Sequence, residues 1–383
     1  MNSFKFFTDK PLSRYRTADS AIIILTILLW GIGMFTLYFS VSGEAISKGL
    51  FSSEAMILVK KQFFSSVIGF MVMFILSILR FELVRKYVHV VVLISIALCF
   101  CTFIPHFGME LNGARRWIRI PFIGSFQPTE AVKFAIVLYL ARYFDHQYEL
   151  RENERRLVPA IFVLFVLTGV VLMQKDFSSA AFVFMLGACM FIISGAKFGW
   201  IIPTGFIAIL LGILFVSLNS YRLNRLIAFM HPEDADANYQ IIAAKRAITN
   251  GGFFGQGFGS GLNKTFHVPE VQSDCIFAAW GEAMGFVGVL AYFLVLFLFA
   301  WRSFRLSGRT TDRFASFFVF GYALCIVSQS IMNVAVVSGA IPTTGIPLPF
   351  FSSGGSSILV TFAMCGLILN ASRFVSAETD DKF

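Results

Sequence analysis

The sequence predicts an all-α polytopic membrane protein of about ten transmembrane helices, and three observations carry that prediction. Of 383 residues, 57% are hydrophobic and only 14% are charged, where a soluble domain carries about a quarter charged residues. Mean hydropathy is +0.76, and Phe alone occurs 47 times, which suits lipid-facing and helix-packing surfaces. The apolar residues also gather into runs of about 20, the length that crosses a bilayer as a helix.

Ten such runs follow one another, over 20–40, 62–79, 87–104, 127–143, 158–173, 179–195, 198–218, 275–300, 314–337 and 356–373. The fourth is interrupted by Glu130, Lys133 and Arg142. The fifth and sixth are separated by little more than "QKDFS", so they form a tight hairpin. Residues 1–19 read as an N-terminal tail before an uncleaved first span, because a signal peptide has a shorter apolar core and a small-residue cleavage site. Residues 374–383 read as a polar C-terminal tail. Neither an internal repeat nor a low-complexity tract is evident.

Orientation follows from the placement of basic residues. With the N-terminus inside, 18 Lys and Arg fall on the inner side and 12 on the outer, five of those 12 in the one long loop 219–274. Both termini are therefore expected in the cytoplasm. The net charge of +9 lies largely on the inner face, which points to a membrane surface and not to nucleic acid. The six cysteines contain no C-x-x-C pair, and five lie in apolar runs, as small buried hydrophobes do.

The inner loops are short and plain, so chemistry is expected outside, in loops 105–126, 219–274 and 338–355. Loops longer than about 15 residues are usually functional. In "QPTEAVK", Glu130 and Lys133 are three apart and share one helix face, with Pro128 suited to the first turn. They are either a structural ion pair or a functional one, the usual standing of intramembrane charges. In "GARRWIRI", Arg115 and Arg116 lie outside against the charge rule, beside Trp117 at interface depth. Guanidinium forks match phosphate oxygens, so the partner is an anionic lipid headgroup, as bound lipid or as substrate. Asp176 sits in the hairpin turn, where an acid is also common for structural reasons.

"GGFFGQGFGSGLNKT" lacks the last glycine of a phosphate loop and lies outside, away from ATP. Its glycines permit a tightly folded loop. "HVPEVQSDCIFAAWGEAMG" holds three acids, Glu270, Asp274 and Glu282, at the mouth of the eighth span. Glu270 and Asp274 are four apart and face the same way if helical, and Glu282 lies two turns further on. Helix capping accounts for Glu270. It accounts less well for Asp274, because the apolar run starts right after it, and a partly desolvated acid beside a cation is the setting of a tuned general base. In "PLPFFSSGGSS", Gly354 and Gly355 allow close backbone approach, and Ser352, Ser353 and Ser356 supply donors. With five histidines in the chain and none beside these serines, Ser-His-Asp hydrolysis is not indicated.

Taken together, "GARRWI", "QPTEAVK", "QKDFSSA", "YRLNRLIAFMHPEDADANYQ", "GGFFGQGFG", "HVPEVQSDCIFAAWGEAMGFVG" and "IPTTGIPLPFFSSGGSS" resemble the SEDS family of bacterial membrane proteins, which polymerise peptidoglycan glycan strands. The matches run in order across 112–357. The resemblance implies a ten-span domain over 20–373 in the bacterial cytoplasmic membrane, with its active site facing outward. It implies lipid II and an undecaprenyl-pyrophosphate-linked glycan as substrates. A class B penicillin-binding protein transpeptidase and other division or elongation proteins are the implied partners. The family positions make Asp274 the catalytic base, and Arg115, Arg116, Trp117, Glu130, Lys133, Asp176, Glu270, Ser352, Ser353, Gly354, Gly355 and Ser356 substrate-binding. No resident cofactor is implied beyond a divalent cation, Mg or Mn, at the pyrophosphate.

The sequence departs from the family pattern in three places. Lys175 stands for the hairpin proline with Phe177-Ser178-Ser179 after Asp176, Val271-Gln272 precedes Ser273, and Ser353 stands where the family has Tyr. The glycine- and proline-rich motifs look more like the division members than the elongation members. Two rival readings remain open to the residues alone. A lipid-precursor flippase would need a polar path to the inner leaflet, and a non-catalytic scaffold would use the embedded charges only as bundle glue.

Overall fold

The computed structural model describes residues 18–47, 53–111, 114–120, 124–150, 156–196, 198–217, 235–257 and 272–374, with Leu223, Phe229 and Met230. All ten apolar runs are helical: α1 (Ser20–Ser47), α2 (Ser53–Ile78), α3 (Phe81–Cys101), α4 (Pro128–Glu149), α5 (Val158–Met173), α6 (Phe177–Ile193), α7 (Phe198–Ser217), α9 (Ile276–Arg309), α10 (Arg313–Val337) and α11 (Gly355–Ala371). Among the described residues, the helices long and apolar enough to cross a membrane by themselves are α1, α2, α3, α9 and α10. Helix α4 is excluded by its charges, and α5, α6 and α11 by their length.

Two elements were not visible in hydropathy. Loop 105–126 is not irregular but carries a three-stranded antiparallel sheet, β1 (Gly108–Leu111), β2 (Ala114–Ile120) and β3 (Gly124–Phe126), in the order β1-β2-β3. Alternation in "ARRWIRI" is the period-2 signal of a half-buried strand. The fold is therefore helical with a small sheet at one end. The long loop 219–274 likewise contains a helix, α8 (Ala235–Gly251), packed against α9 and α10.

The bundle is layered by burial. Helix α4 is enclosed, with Val132, Ala135, Ile136, Val137, Leu140 and Ala141 fully buried, and it packs on α3, α6 and α10. Helices α2 and α11 form the most intimate pair. A side chain on Gly69 would meet the Phe362 ring, and one on Gly366 the Met73 backbone. The outer helices instead expose large apolar side chains, Phe74, Leu93, Phe162, Ile209 and Phe297 among them, as a lipid-facing surface requires.

Helix α9 is broken in its outer half by the glycine-rich stretch. Gly285 has φ 61° and ψ −161° within it. Two successive i→i−4 hydrogen bonds are intercepted there by loop 252–257. Phe286 N donates to Gly252 O (3.0 Å) in place of Glu282 O, which accepts from Gln256 N (3.0 Å). Val287 N donates to Phe253 O (3.2 Å) in place of Ala283 O, which accepts from Gly257 N (3.0 Å). Backbone groups at membrane depth must be satisfied, and here each half of a broken bond finds its partner in the inserted loop. Gly255, at φ 82°, passes so close that a Cβ would strike Ala283 O.

At the other end of the bundle lie the basic loops and an ion-pair network. Arg85 grips Asp312 with both oxygens within 3.0 Å (2.8 Å to Oδ2) and reaches Asp145 at 3.5 Å, and Arg142 donates to Asp145 at 3.1 Å. Asp312 also caps α10 through Ala315 N, and Arg302 holds Asp19 at 2.7 Å.

The break predicts a contrast between two glycines of the same helix. Gly285→Ala forces a non-glycine residue to positive φ against Gly255 N, and should destabilise by about 1–3 kcal/mol. Gly308→Ala meets nothing within 4 Å and should stabilise by about 0.4–1 kcal/mol. Equilibrium unfolding in detergent, monitored for both variants, checks the difference in sign.

Candidate active site

The residues expected to act are carried by β2, the start of α4, the α5–α6 turn, the turn before α9 and the segment before α11, and the end of α10 ties several of these together. The organising element is α10. Two amide side chains one turn apart, Gln329 and Asn333, project from its buried face. Asn333 Nδ2 donates to the backbone oxygens of Asp274 (2.9 Å) and Ile346 (3.0 Å). Gln329 Nε2 donates to Pro347 O (2.8 Å), while its Oε1 accepts from Lys133 Nζ (2.7 Å). Lys133 also pairs with Glu130 at 2.7 Å, and its ammonium lies 5.5 Å from the Phe182 ring centroid. Both charged side chains are almost wholly buried, at 5% and 3% exposure.

Asp274 stands in a turn just before α9, and a second set of bonds fixes that turn. Ser352 Oγ donates to Ser273 O (2.5 Å) and accepts from Leu348 N (2.7 Å), and Ser353 N donates to Gln272 O (2.8 Å). Gln62 of α2 donates to Ser352 O at 3.1 Å. The Asp274 side chain is half-buried and lines a cavity with Gln240, Ile241, Ala244, Cys275, Val336, Val337, Thr343 and Thr344. At about 10 Å³ this cavity has room for a single water. Gly345 passes close to this side chain, since a Cβ there would lie 3.8 Å from Asp274 Oδ2. Among the described residues, Oγ1 of the lining residue Thr344 is buried without a hydrogen-bond partner, as is Asn333 Oδ1 on α10.

The other expected residues divide. Arg115 and Arg116 lie at a β-bulge, since Glu110 pairs with Arg115 while Met109 pairs with Trp117, and the two side chains take different partners. Arg115 is exposed and paired with Glu110 (3.2 Å), whereas Arg116 donates to Lys175 O (2.6 Å) and pins the α5–α6 turn to the sheet. The two do not form one fork on one phosphate in this arrangement. Trp117 is half-buried opposite Met109. Asp176 is the N-cap of α6, accepting from Ser179 N (3.3 Å) and Gln127 Nε2 (3.2 Å). Gly354 is the N-cap of α11, Gly355 lies against Ser65, and Ser356 is buried in the first turn. Glu282 is buried and hydrogen-bonds Asn250 at the end of α8, away from the Asp274 cavity. Glu270 lies outside the described residues.

Gln62, Gln329 and Asn333 were not anticipated. Their signal was present, as uncharged amides inside apolar runs, where a side chain with both donor and acceptor is costly unless bonded. Among the described residues no three His, Cys, Asp or Glu come together as a metal-binding group.

The buried Glu130–Lys133 pair makes a thermodynamic prediction. Lys133→Met leaves Glu130 uncompensated and should cost about 3–5 kcal/mol, while Glu130→Leu with Lys133→Met should recover most of that loss. A double-mutant cycle by denaturation in detergent measures it.

Residues 20–377 match the model of the cell cycle protein family of FtsW, RodA and SpoVE. The probable peptidoglycan glycosyltransferase FtsW of Geobacter sp. (strain M18) is 33% identical over 94% of this chain and 98% of its own length. Stage V sporulation protein E of Bacillus subtilis (strain 168) is 31% identical over 93% and 97%. Among solved structures, a chain from a peptidoglycan synthase complex superposes with a TM-score of 0.75 at 23% identity, covering 93% of this chain and 98% of that one. The rod shape determining protein RodA of Thermus thermophilus superposes at 0.68 and 22% identity, covering 94% and 98%. On the family match and relatives alike over nearly their whole length, this chain belongs to the FtsW/RodA/SpoVE cell cycle protein family.

Proposed function

We propose that this chain is a peptidoglycan glycosyltransferase that polymerises lipid II into glycan strands at the outer face of the bacterial cytoplasmic membrane, in the division role of FtsW. The observation that carries the reading is the Asp274 turn. Four side chains from two helices and a loop (Asn333 and, through Pro347, Gln329 of α10, Gln62 of α2, and Ser352) hold that turn and its loop partner. Such investment fixes one carboxylate at a small cavity that also holds Gln240, Thr343 and Thr344, inside an apolar bundle. Relatives named as peptidoglycan glycosyltransferases FtsW support both the activity and the division role.

In this mechanism the 4-hydroxyl of the acceptor sugar attacks the anomeric carbon of the donor strand, whose lipid pyrophosphate leaves. Asp274 accepts the hydroxyl proton, a role worth about 10²–10⁴ in rate. Thr344 Oγ1, which lines the cavity and has no partner among the described residues, is a polar atom suited to meet a ligand's hydroxyl. A cavity of one water's size is too small for a sugar, so α8 or the 340–345 segment must move aside to admit one.

Lys133 is committed to Glu130 and Gln329, so it serves the site by holding α4 to α10. Arg115, exposed and bonded among the described residues to the exposed Glu110, is the cation suited to neutralise charge growing on the pyrophosphate. A divalent cation in this reaction would be held chiefly by the substrate phosphates, since a small hard cation takes one or two carboxylates and completes its shell with phosphate and water. The partner transpeptidase is a class B penicillin-binding protein, and its function would be to cross-link what this chain polymerises.

Two outcomes are expected with purified lipid II and the reconstituted protein, alongside its cognate transpeptidase. Asp274→Asn keeps the shape and removes the base, so polymer should fall by about 10²–10⁴; a wild-type rate from a folded variant sinks the base assignment. Asn333→Leu frees the turn without touching the base, so the rate should fall about tenfold to a hundredfold. If that variant loses stability but keeps its turnover, Asn333 is a packing residue only.

A further inference from the structure

A groove between α3 and α4 lies at the end of the bundle opposite the Asp274 turn, and the polymerase reading makes no use of it. Its walls are His89 of α3 and Tyr139, Arg142, Tyr143 and His146 of α4, the last four at helical spacings of three and four, and it encloses about 160 Å³. The walls therefore hold two imidazoles, a guanidinium and two phenols, with no carboxylate.

The acids nearby are already engaged elsewhere. Asp145 accepts from Arg142 and lies 3.5 Å from Arg85, Asp312 is gripped by Arg85 and caps α10, and Glu149 takes His146 Nδ1 at 3.2 Å. Arg142 has spent one donor on Asp145 out of the five a guanidinium carries. Tyr143 donates its hydroxyl proton to Arg156 O at 2.6 Å, which leaves its oxygen as an acceptor. Among the described residues His89 makes no hydrogen bond; its ring packs edge-on near Tyr139 at 6.0 Å.

The position of His89 decides what such a groove would hold. It lies about 12 Å along α3 from Phe81, below the first turn, and is exposed on the same stripe as Val90, Leu93 and Ile94, which are 45%, 65% and 53% exposed. A histidine on the lipid-facing stripe of a spanning helix is costly without a partner. From His89 this stripe continues toward the middle of the bilayer, so the groove opens onto apolar surface and not only onto water. Basic pockets between helices at the cytoplasmic side are the form that recognition of anionic lipid headgroups takes.

We propose that this α3–α4 groove binds the phosphate headgroup of an anionic phospholipid of the inner leaflet. The phosphodiester sits among His89, Arg142 and His146, the Tyr139 hydroxyl donates to it, and the acyl chains lie along Val90, Leu93 and Ile94. The site is a feature of the membrane body and does not depend on the chain's catalytic reading.

The test is native mass spectrometry of the detergent-purified full chain, titrated with phosphatidylglycerol or phosphatidylcholine. One phosphatidylglycerol should be retained about fivefold to tenfold more tightly than phosphatidylcholine. The double variant His89→Phe/His146→Gln, at two exposed positions, should bring the two lipids within about twofold. Arg142→Lys, which keeps the charge and loses the planar fork, should weaken the preference partway and serves if the double variant does not fold. Arg305→Gln, a cation at the same end that lies over Trp301, should leave the preference intact. Equal binding of the two lipids, a preference that survives the groove variants, or one lost equally in Arg305→Gln would overturn the proposal. Displacement of the lipid by excess inorganic phosphate would also overturn it, by making the groove a site for soluble anions.

Discussion

The arrangement depends on two amides of one helix. Gln329 and Asn333 stand a turn apart on the buried face of α10, and each spends its donor on a backbone carbonyl of a segment that has no regular partner of its own. Segment 346–353 and turn 272–274 cannot form a ladder with a neighbour, yet both enter the bundle, where an unmet carbonyl costs several kcal/mol. The amides meet that demand, and Gln329 carries the connection on to Lys133 with its acceptor. Removing α10 from this arrangement would release α4, the Asp274 turn and the serine-rich loop together.

The same demand explains the broken helix. A continuous α9 would satisfy its own backbone and leave loop 252–257 with nothing to bond. Breaking two bonds and filling both gaps from the loop keeps the four α9 groups satisfied, gives four loop groups their partners, and anchors α8, which forms one wall of the Asp274 cavity. Glycine is required where the strands of this exchange touch, at Gly255 and Gly285, because a Cβ at either would lie against backbone. The glycine-rich motif is a docking device for the helix that covers the carboxylate.

Hydropathy made the helices legible because lipid imposes a single rule on every spanning segment. All ten runs are helical, with ends displaced most where helices extend past the apolar core, as α9 does to Arg309. The sheet was missed because its strands are short and its alternation lay inside a loop flanked by spans. At the site, the pairing of Glu130 with Lys133 followed from three-residue spacing. The separate fates of Arg115 and Arg116 did not, because they depend on strand geometry that a loop assignment concealed. The departures from the family pattern were informative in another way: Ser353 contributes its backbone N–H to Gln272, a role that survives any side chain.

Among the described residues, four acids toward the Asp274 end of this bundle are buried or half-buried, and their surroundings separate them. Glu130 is neutralised by an ammonium at 2.7 Å, Asp176 is occupied by a helix N-terminus and an amide, and Glu282 is bonded to Asn250 beside the broken helix. Each of these has a structural use that accounts for an acid at that position. Asp274 differs in where the bonds around it fall: Asn333 and the bonds to Ser273 and Gln272 on its N-terminal side fix its backbone, and its side chain lines the small cavity against α8. That asymmetry, more than the presence of an acid at the membrane edge, is what singles out Asp274 among the four.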